Sequence, residues 1–575
     1  MRSVQDSAEL QRILRIPRRV WSADDSAAWA ARWTDALGRA PRDDCPTSCV
    51  CGGAGQMSLR PIQGIALSEI AQYGGGLFPI RVGGGKTLIS FLAPRVLPQV
   101  RAPLLLLPAH LVKKTQREMA LYRKHWNLPP FIRVESYQLL SRVGGATLLR
   151  DYQPDLIICD EAHALKDPSG TRAKRINRYL RERGGVPLVI MSGTLTKRSI
   201  GDFAHLSSWS LRERSPVPLP QFFHVLEEWK RAIDVNVAEH RRLDPGALTA
   251  LGAGPVRPAF QRRLVETPGV VATQEGPLPI ELRIRSHAVE IDAETFDAYR
   301  TLRLDWRTPD EWDLEDGVAV WRHARELSSG FYSRWDPRPP ERWREARRDW
   351  AKACRDIIAH NRRELDTELQ VRRAVLDGYR PEAEGILRRW LEIAPTFEPN
   401  PEAVWFSDRL VGWCAAWAKE RPGLVWVERP AFGDRLARMT GMPYYANLGL
   451  DDQGRFVGDH PPTSSAIVSI EANSVGRNLQ AFNRNLIVDV QPNGARWEQM
   501  LGRTHRDGQR AKVVEVDVLF GCIEDVEGFW RAVRDSQYAE DMTGQAQKLV
   551  HADLEQVEEV EAARLRAGPQ WNKKG

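Results

Sequence analysis

The stretch "RVGGGKTLIS", residues 81–90, places three glycines directly before a lysine and a threonine. A glycine-rich turn between a strand and a helix can point consecutive backbone N–H groups at one anion, and the helix dipole favours negative charge there. In such a turn Lys86 can reach the β- and γ-phosphates of a nucleotide, and the Thr87 hydroxyl can ligate Mg²⁺. The complete phosphate-loop signature has a glycine where this chain has Ile80, so a flexible turn remains an alternative.

A pair of acids follows an apolar run in "DLIICDEAHALKD". Asp160 can hold Mg²⁺, usually through water, and Glu161 can orient and polarise an attacking water. Paired acids at a strand end also occur as helix caps, but the glycine-rich turn upstream favours the catalytic interpretation.

Two further segments carry polar groups suited to the same chemistry. In "MSGTLTKRS", Ser192 and Thr194 offer hydroxyls that can hydrogen-bond the acidic pair. In "EQMLGRTHRDGQR", the candidates are Gln499, Arg503 and Arg506. An arginine that reaches the γ-phosphate can stabilise the charge of phosphoryl transfer by a factor of about 10³ to 10⁵. The alternative for this segment is a basic surface loop.

The elements that must position these residues are buried strands. The runs "PLLLLPAH", "DLIICDEAH" and "PLVIMSGT" lack period-two polar alternation, which is typical of parallel strands covered on both faces. Four later runs, "GLVWVE", "SAIVSIEA", "NLIVDVQP" and "VVEVDVLF", also predict strands. The stretch between the two groups is charged, rich in Trp and helical in spacing. The fold class is therefore α/β, with two parallel-sheet lobes and a helical insertion between them.

The same alternation of apolar strand runs and charged helical stretches divides the chain into five predicted segments. They are an N-terminal extension with a cysteine cluster (1–52), a first lobe with the candidate phosphate-binding turn (53–210), a helical insertion or linker (211–400), a second lobe with the arginines (401–535), and a C-terminal helix and tail (536–575).

The composition and charge of the chain limit the kinds of partner and the cellular location that we expect. The net charge of +7 permits a polyanionic partner without requiring one. No apolar run is long enough to cross a bilayer and no signal peptide is apparent, so we expect a cytoplasmic protein with no membrane partner. Seven cysteines in 575 residues favour reduced thiols. Cys45, Cys49 and Cys51 have a spacing that could contribute to a zinc site, although unpaired thiols are the alternative because no fourth ligand lies close in sequence.

Taken together, "GGGKT", "DEAH", "SGT" and "QMLGRTHRDGQ", in this order, resemble the motor motifs of superfamily-two helicases. The "HRDGQ" ending is similar to the Swi/Snf-like branch of ATP-dependent DNA translocases, of a bacterial or phage type. The resemblance covers about residues 59–206 and 404–530 and implies two RecA-like lobes, ATP and Mg²⁺ as ligands, and double-stranded DNA as the partner in a bacterial cytoplasm or that of a phage-infected host.

The resemblance also assigns contacts residue by residue. It implies that the glutamine of "LRPIQ" contacts adenine, that the glycine turn and one lobe-two glycine bind ATP, and that six residues bind nucleic acid. The nucleotide set is Gln63, Gly83, Gly84, Gly85, Lys86, Thr87 and Gly476; the nucleic-acid set is Pro108, His110, Leu111, Ser192, Thr194 and Asn478. The chain departs from the family pattern in "SIEANSVGRNLQ", where Glu471 stands for an arginine and Asn473 and Ser474 replace a glycine pair.

Three other functions remain open at this point. An RNA helicase would share the nucleotide site, because nothing in these motifs reads a 2′-hydroxyl. A non-catalytic nucleic-acid clamp would bind without turnover, and a nucleotide-driven protein switch would ignore nucleic acid. Strand separation, polarity, oligomeric state and protein partners have no signature in the sequence.

Overall fold

The structure is a computed structural model that describes residues 2–39, 57–273, 276, 278–314, 316–361, 363–555 and 557. The candidate zinc ligands Cys45, Cys49 and Cys51 lie outside these residues. Within the described ranges Cys159, Cys354, Cys414 and Cys522 are buried free thiols.

The chain divides into two compact units, and neither is a continuous segment. Unit 1 consists of Met1–Gly276, Glu364–Gln370 and Gln537–Gln547. Unit 2 consists of Pro277–Arg363, Val371–Ser536 and Lys548–Gly575.

Unit 1 contains a five-stranded parallel sheet in the order β1-β5-β4-β2-β3. Its strands are β1 (Gly76–Phe78), β2 (Pro103–Leu107), β3 (Arg133–Ser136), β4 (Leu156–Cys159) and β5 (Leu188–Met191). Its complete helices are α1 (Ala8–Arg15), α2 (Ala23–Leu37), α3 (Pro61–Tyr73), α4 (Lys86–Leu92), α5 (Val112–Tyr122), α6 (Tyr137–Ser141), α7 (Leu148–Tyr152), α8 (Thr171–Arg183), α9 (Gly201–Leu211), α10 (Phe223–Ile233) and α11 (Val256–Val265).

Both faces of this sheet are covered by apolar side chains. Along β2, Leu104 and Leu106 lie in one core, while Leu105 and Leu107 lie in the core on the opposite face. Because no face of the strand meets water, the run contains no polar residue, which is the pattern expected of a parallel sheet.

Unit 2 contains a seven-stranded parallel sheet in the order β10-β11-β9-β12-β13-β6-β14, and a separate antiparallel pair, β7 with β8. The strands are β6 (Glu281–Ala288), β7 (Phe331–Trp335), β8 (Pro401–Trp405), β9 (Leu424–Val427), β10 (Tyr444–Tyr445), β11 (Ala466–Ser469), β12 (Arg484–Ile487), β13 (Val513–Phe520) and β14 (Asp553–Glu555). The remaining helices are α12 (Ala293–Asp305), α13 (Gly317–Ser328), α14 (Glu341–His360), α15 (Glu368–Leu376), α16 (Glu384–Ile393), α17 (Arg409–Glu420), α18 (Pro430–Thr440), α19 (Ile470–Asn473), α20 (Gly494–Leu501) and α21 (Ile523–Thr543). The first residues of α15 and the last of α21 belong to unit 1.

The prediction of an α/β fold with parallel sheets is confirmed, and each of the seven apolar runs named above contains a strand. The segment 211–400, predicted to be a helical insertion, is more varied. It contributes helices to both units, and it also supplies two strands, β6 and β7, of which β7 pairs with β8 just beyond the segment. Strand β6 escaped prediction because it alternates Leu282, Ile284 and Ser286 inward with charged residues outward, within a charged part of the chain.

The described part of the chain contains no helix that combines the length and the apolar character needed to cross a membrane.

Candidate functional site

The carboxyl edge of the unit 1 sheet gathers the predicted nucleotide-site residues of this unit. Strands β1, β5, β4 and β2 are neighbours and run parallel, so the segments that follow them leave the sheet on the same side. These segments are 79–85, 192–200, 160–165 and 108–111, respectively. Ligands of open parallel sheets bind at this edge.

The glycine turn after β1 has a backbone that only glycine adopts easily. Gly83 and Gly85 have φ of 87° and 82°, in the left-handed region. A Cβ on Gly85 would also lie 2.2 Å from the Gln63 side-chain nitrogen. Lys86 begins α4, and its buried ammonium bonds the carbonyls of Ile80 at 3.0 Å and Arg81 at 3.2 Å. The lysine side chain therefore spans the turn. Ile80, which replaces the glycine of the complete signature, provides one of the two carbonyls that accept from it.

Gln63, the predicted adenine-contacting residue, is buried against the same turn. Its side-chain nitrogen donates to the Gly85 carbonyl at 3.1 Å, and its oxygen accepts the Arg60 N–H at 2.8 Å. The Arg60 guanidinium donates to the Gly83 carbonyl at 2.8 Å. Helix α3 is thus tied to the turn by two side chains, and Gln63 has a structural role in shaping it.

The acidic pair follows β4 directly. Burial, reinforced by the neighbouring Glu161 and opposed by Lys86, raises the pKa of Asp160 to about 6. The attraction to Lys86 shows that the ammonium and the carboxylate belong to one electrostatic cluster. A pair of adjacent, partly buried carboxylates favours a cation, which is the property expected of a metal-binding position.

Glu161 contacts the hydroxyl residues through a histidine that the sequence prediction did not single out. The Nδ1 atom of His163 lies 3.3 Å from a Glu161 carboxylate oxygen, 3.4 Å from the Ser192 hydroxyl and 3.3 Å from the Thr194 hydroxyl. The Ser192 hydroxyl also accepts the Thr194 N–H at 3.1 Å. The sequence predicted hydrogen bonds from these hydroxyls to the acids, and in unit 1 His163 lies between the two groups.

Tyr137 is a second residue that the prediction missed. It is fully buried, and its hydroxyl donates to the Asp160 carbonyl at 2.9 Å. Its only signal in the sequence is its position directly after a strand, in "VESYQLL".

The predicted nucleic-acid residues of unit 1 lie on the same edge. Pro108, His110 and Leu111 are partly exposed and form a turn after β2, in which the Leu111 N–H donates to the Pro108 carbonyl at 2.9 Å. Ser192 and Thr194 are buried, and both hydroxyls contact the Nδ1 atom of His163.

In unit 2, the two predicted motifs contact each other. The Arg503 side chain is buried and donates to the Gln499 carbonyl at 2.8 Å and to the Arg477 carbonyl at 3.0 Å. The Arg503 carbonyl in turn accepts the Leu479 N–H at 3.1 Å. Arg503 therefore joins the segment after α19 to the segment after α20.

The other predicted unit 2 residues differ in exposure. Gln499 is buried, Arg506 is half-buried and Asn478 is exposed, while Gly476 has a left-handed φ of 74°. Asn473, which stands where superfamily-two helicases have glycine, is fully buried and donates to the carbonyls of Tyr445 at 2.8 Å and Ser469 at 3.1 Å. The asparagine side chain therefore fills a packed position.

The residues predicted to hold Mg²⁺ offer the ligand atoms that this ion prefers. Thr87 supplies a half-buried hydroxyl and Asp160 a carboxylate oxygen, both hard donors. Within the described ranges no group of three or more His, Cys, Asp or Glu side chains is arranged to hold a metal ion by itself. Mg²⁺ bound here would therefore also need oxygens from a phosphate ligand or water.

No protein-family model matches this chain, and no curated protein matches it significantly.

Proposed function

We propose that the protein is an ATP-dependent DNA translocase or helicase built on two RecA-like lobes, one in each unit. The observation that carries the proposal is the hydrogen-bonded arrangement at the carboxyl edge of the unit 1 sheet. There a glycine turn with its lysine, an acidic pair and two hydroxyls lie on adjacent strand ends. This combination of groups suits hydrolysis of a nucleoside triphosphate.

In the proposed mechanism ATP is the substrate. The N–H groups of Gly83 to Gly85 and the Lys86 ammonium bind its phosphates, and Lys86 exchanges its two carbonyl partners for phosphate oxygens. Glu161 accepts a proton from the attacking water, and His163 orients its carboxylate. Arg503 and Arg506, with Gln499 beside them, stabilise the negative charge that develops on the γ-phosphate.

Thr87 and Asp160 would hold Mg²⁺, which when bound neutralises charge on the phosphate oxygens. Asp160 must be ionised for this role; with a pKa raised to about 6 it is still mostly ionised at neutral pH, but it becomes protonated in mild acid.

Nucleic acid is the proposed partner of the partly exposed turn 108–111 and of the exposed Asn478. Ser192 and Thr194 were predicted to share this role, but their side chains are buried, so they are not proposed as direct contacts. The net charge of +7 is consistent with a polyanion. If the contacts are mainly to phosphates, binding tolerates any sequence and weakens with salt, with a slope of about −0.9 per phosphate neutralised on duplex DNA. A cytoplasmic location follows from this role.

The proposal predicts that Lys86→Ala lowers ATP hydrolysis at least about 100-fold, because the phosphates lose their principal cation. Glu161→Gln should retain ATP binding and lose turnover. Lys419→Ala, which changes an exposed lysine of unit 2, should behave as wild type. The measurement is ATPase activity with duplex DNA, single-stranded DNA and RNA, followed by release of a labelled strand.

Each possible negative result of this experiment would contradict a different part of the proposed function. Full activity of Lys86→Ala would refute the site. Stimulation by RNA alone would replace the DNA translocase with an RNA helicase. Nucleic-acid binding with no turnover in the wild type would indicate a clamp, and turnover that no nucleic acid stimulates would indicate a protein switch.

A further inference from the structure

Residues 537–547, here called the C-terminal strap, complete the hydrophobic core of unit 1. They comprise the last turns of α21 and the four residues that follow it. Tyr538 and Met542 are fully buried in the same core as β1, β4 and β5, and Gln545 is only 3% exposed. A buried glutamine requires hydrogen-bond partners, and those partners identify what the strap does.

The Gln545 side chain bonds two of the segments that form the proposed nucleotide site. With the amide oriented so that donor faces acceptor, its nitrogen donates to the Gly193 carbonyl at 2.9 Å and its oxygen accepts the Arg81 N–H at 2.5 Å. Arg81 is one of the two residues whose carbonyls accept from Lys86, and Gly193 lies between Ser192 and Thr194. One side chain thus joins the glycine turn to the "SGT" segment.

Tyr538 contacts the far end of that same segment through a shared carboxylate. One Asp234 oxygen accepts the Tyr538 hydroxyl at 2.9 Å and the Ile200 N–H at 3.0 Å. All three residues are buried. The loop 192–200 is therefore held near its start by Gln545 and at its end by Asp234 and Tyr538.

The strap itself is held in one conformation. Gly544 ends α21 with a left-handed φ of 70°, and a Cβ there would lie 2.2 Å from the Gln261 side-chain nitrogen. Beyond it, the Gln547 side chain donates to the Gln545 carbonyl at 3.0 Å, and the Gln547 N–H donates to the Glu540 carboxylate at 2.8 Å. The Gln545 amide is consequently presented by a fixed backbone.

We propose that Gln545 and Tyr538 are positioning residues for the nucleotide site, which fix the distance between the glycine turn and the loop 192–200. The inference rests on the proposed function, because it assigns the two residues to that same site. Neither touches the expected position of the phosphates; they act through Arg81, Gly193 and Ile200. Loss of either contact should loosen the site before any ligand is added.

The first test measures amide hydrogen exchange in the full-length protein without nucleotide. Gln545→Ala should speed exchange about fivefold or more in peptides covering 78–90 and 190–202. Tyr538→Phe, which removes one hydroxyl, should speed exchange in 190–202. The matched control is Gln537→Ala, an exposed glutamine of the same strap whose side chain bonds Asp541; it should leave both peptides unchanged. Unchanged exchange in both Gln545→Ala and Tyr538→Phe overturns the inference.

The second test measures the Kd for a non-hydrolysable ATP analogue with Mg²⁺. Gln545→Ala should raise the Kd about fivefold to tenfold, and Gln537→Ala should not. Faster exchange with an unchanged Kd overturns the positioning role and leaves the proposed function standing. A wild-type protein that does not bind the analogue refutes the proposed function and this inference with it.

Discussion

The peptide bond between Asp160 and Glu161 is held at both of its polar atoms. Its carbonyl accepts the Tyr137 hydroxyl and its N–H donates to the Asp160 carboxylate at 2.9 Å. Glu161 has φ of 51° and ψ of 48°, a left-handed conformation that costs a non-glycine residue about 1 kcal/mol. The two hydrogen bonds offset that strain and set the direction in which the Glu161 side chain leaves the strand.

We therefore expect Tyr137→Phe to lower kcat for ATP about tenfold with little change in KM. The Asp160–Glu161 peptide bond would lose one hydrogen bond and Glu161 would be misplaced, whereas the glycine-rich turn that binds the phosphates would be unchanged. Steady-state ATPase kinetics measure this split. The matched control is Tyr152→Phe, whose hydroxyl bonds the Pro103 carbonyl at the opposite end of the sheet, at 3.2 Å. Equal kinetics for the two variants would contradict the role given to Tyr137.

The pKa of Asp160 predicts a pH dependence of the Mg²⁺ requirement. Burial raises this pKa to about 6, so the carboxyl group becomes protonated as the pH falls below 6, where an ordinary aspartate is still ionised. The Mg²⁺ concentration for half-maximal activity should rise about tenfold per pH unit below this value and stay flat above pH 7.

The measurement is ATPase activity over a Mg²⁺ series between pH 5 and 8. Asp160→Asn should need more Mg²⁺ at every pH, and any slope that it retains belongs to the γ-phosphate of ATP. A wild-type slope no steeper than that of the variant would contradict the assignment.

At the scale of elements, helix α8 is held by a short acidic segment, Glu364–Gln370. Asp366 is buried and receives Arg175 and Arg178, each at 3.3 Å, while Arg175 also donates to the carbonyls of Leu140 and Arg142. Glu364 contacts Arg178 at 3.2 Å but is 42% exposed. The two acids share an arginine and differ in burial.

This difference gives a matched pair of variants. Asp366→Ala leaves the buried Arg175 without its carboxylate and should lower the free energy of unfolding by about 3–5 kcal/mol. Glu364→Ala removes two exposed ion pairs, with Arg178 and Arg150, and should cost about 0–1 kcal/mol. Urea denaturation measures both values, and equal effects would contradict the importance of burial.

The sequence predicts elements well where burial is complete and poorly where it is partial. Strands β2, β4 and β5 are continuous apolar runs because both faces of their sheet are covered. Strand β14 has three residues, Asp553–Glu555, two of them acidic, and no apolar pattern marks it. At the site, Lys86 and Asp160 were predictable from local motifs. Gln545 was not, since its partners Arg81 and Gly193 lie more than 350 residues away and only tertiary structure joins them.

At the scale of the whole molecule, the interleaved units predict that two truncations behave differently. A chain ending at residue 536 lacks the strap, so peptides 78–90 and 190–202 should exchange faster and ATP binding should weaken. A chain ending at residue 547 keeps the strap. It loses β14 of unit 2, and with it the ion pair between Arg285 and Glu555 at 2.5 Å. It should keep wild-type exchange in both peptides. Hydrogen exchange of the two fragments measures this, and identical behaviour would contradict the role of the strap.

The order in which the segments of unit 1 occur along the chain also bears on synthesis. A nascent chain leaves the ribosome from its amino end, and domains commonly fold as they emerge. Here the core that surrounds β1 and β4 includes Tyr538 and Met542. The apolar surface that these two side chains cover therefore stays exposed until they have been translated, and we expect chaperones to bind it during that interval.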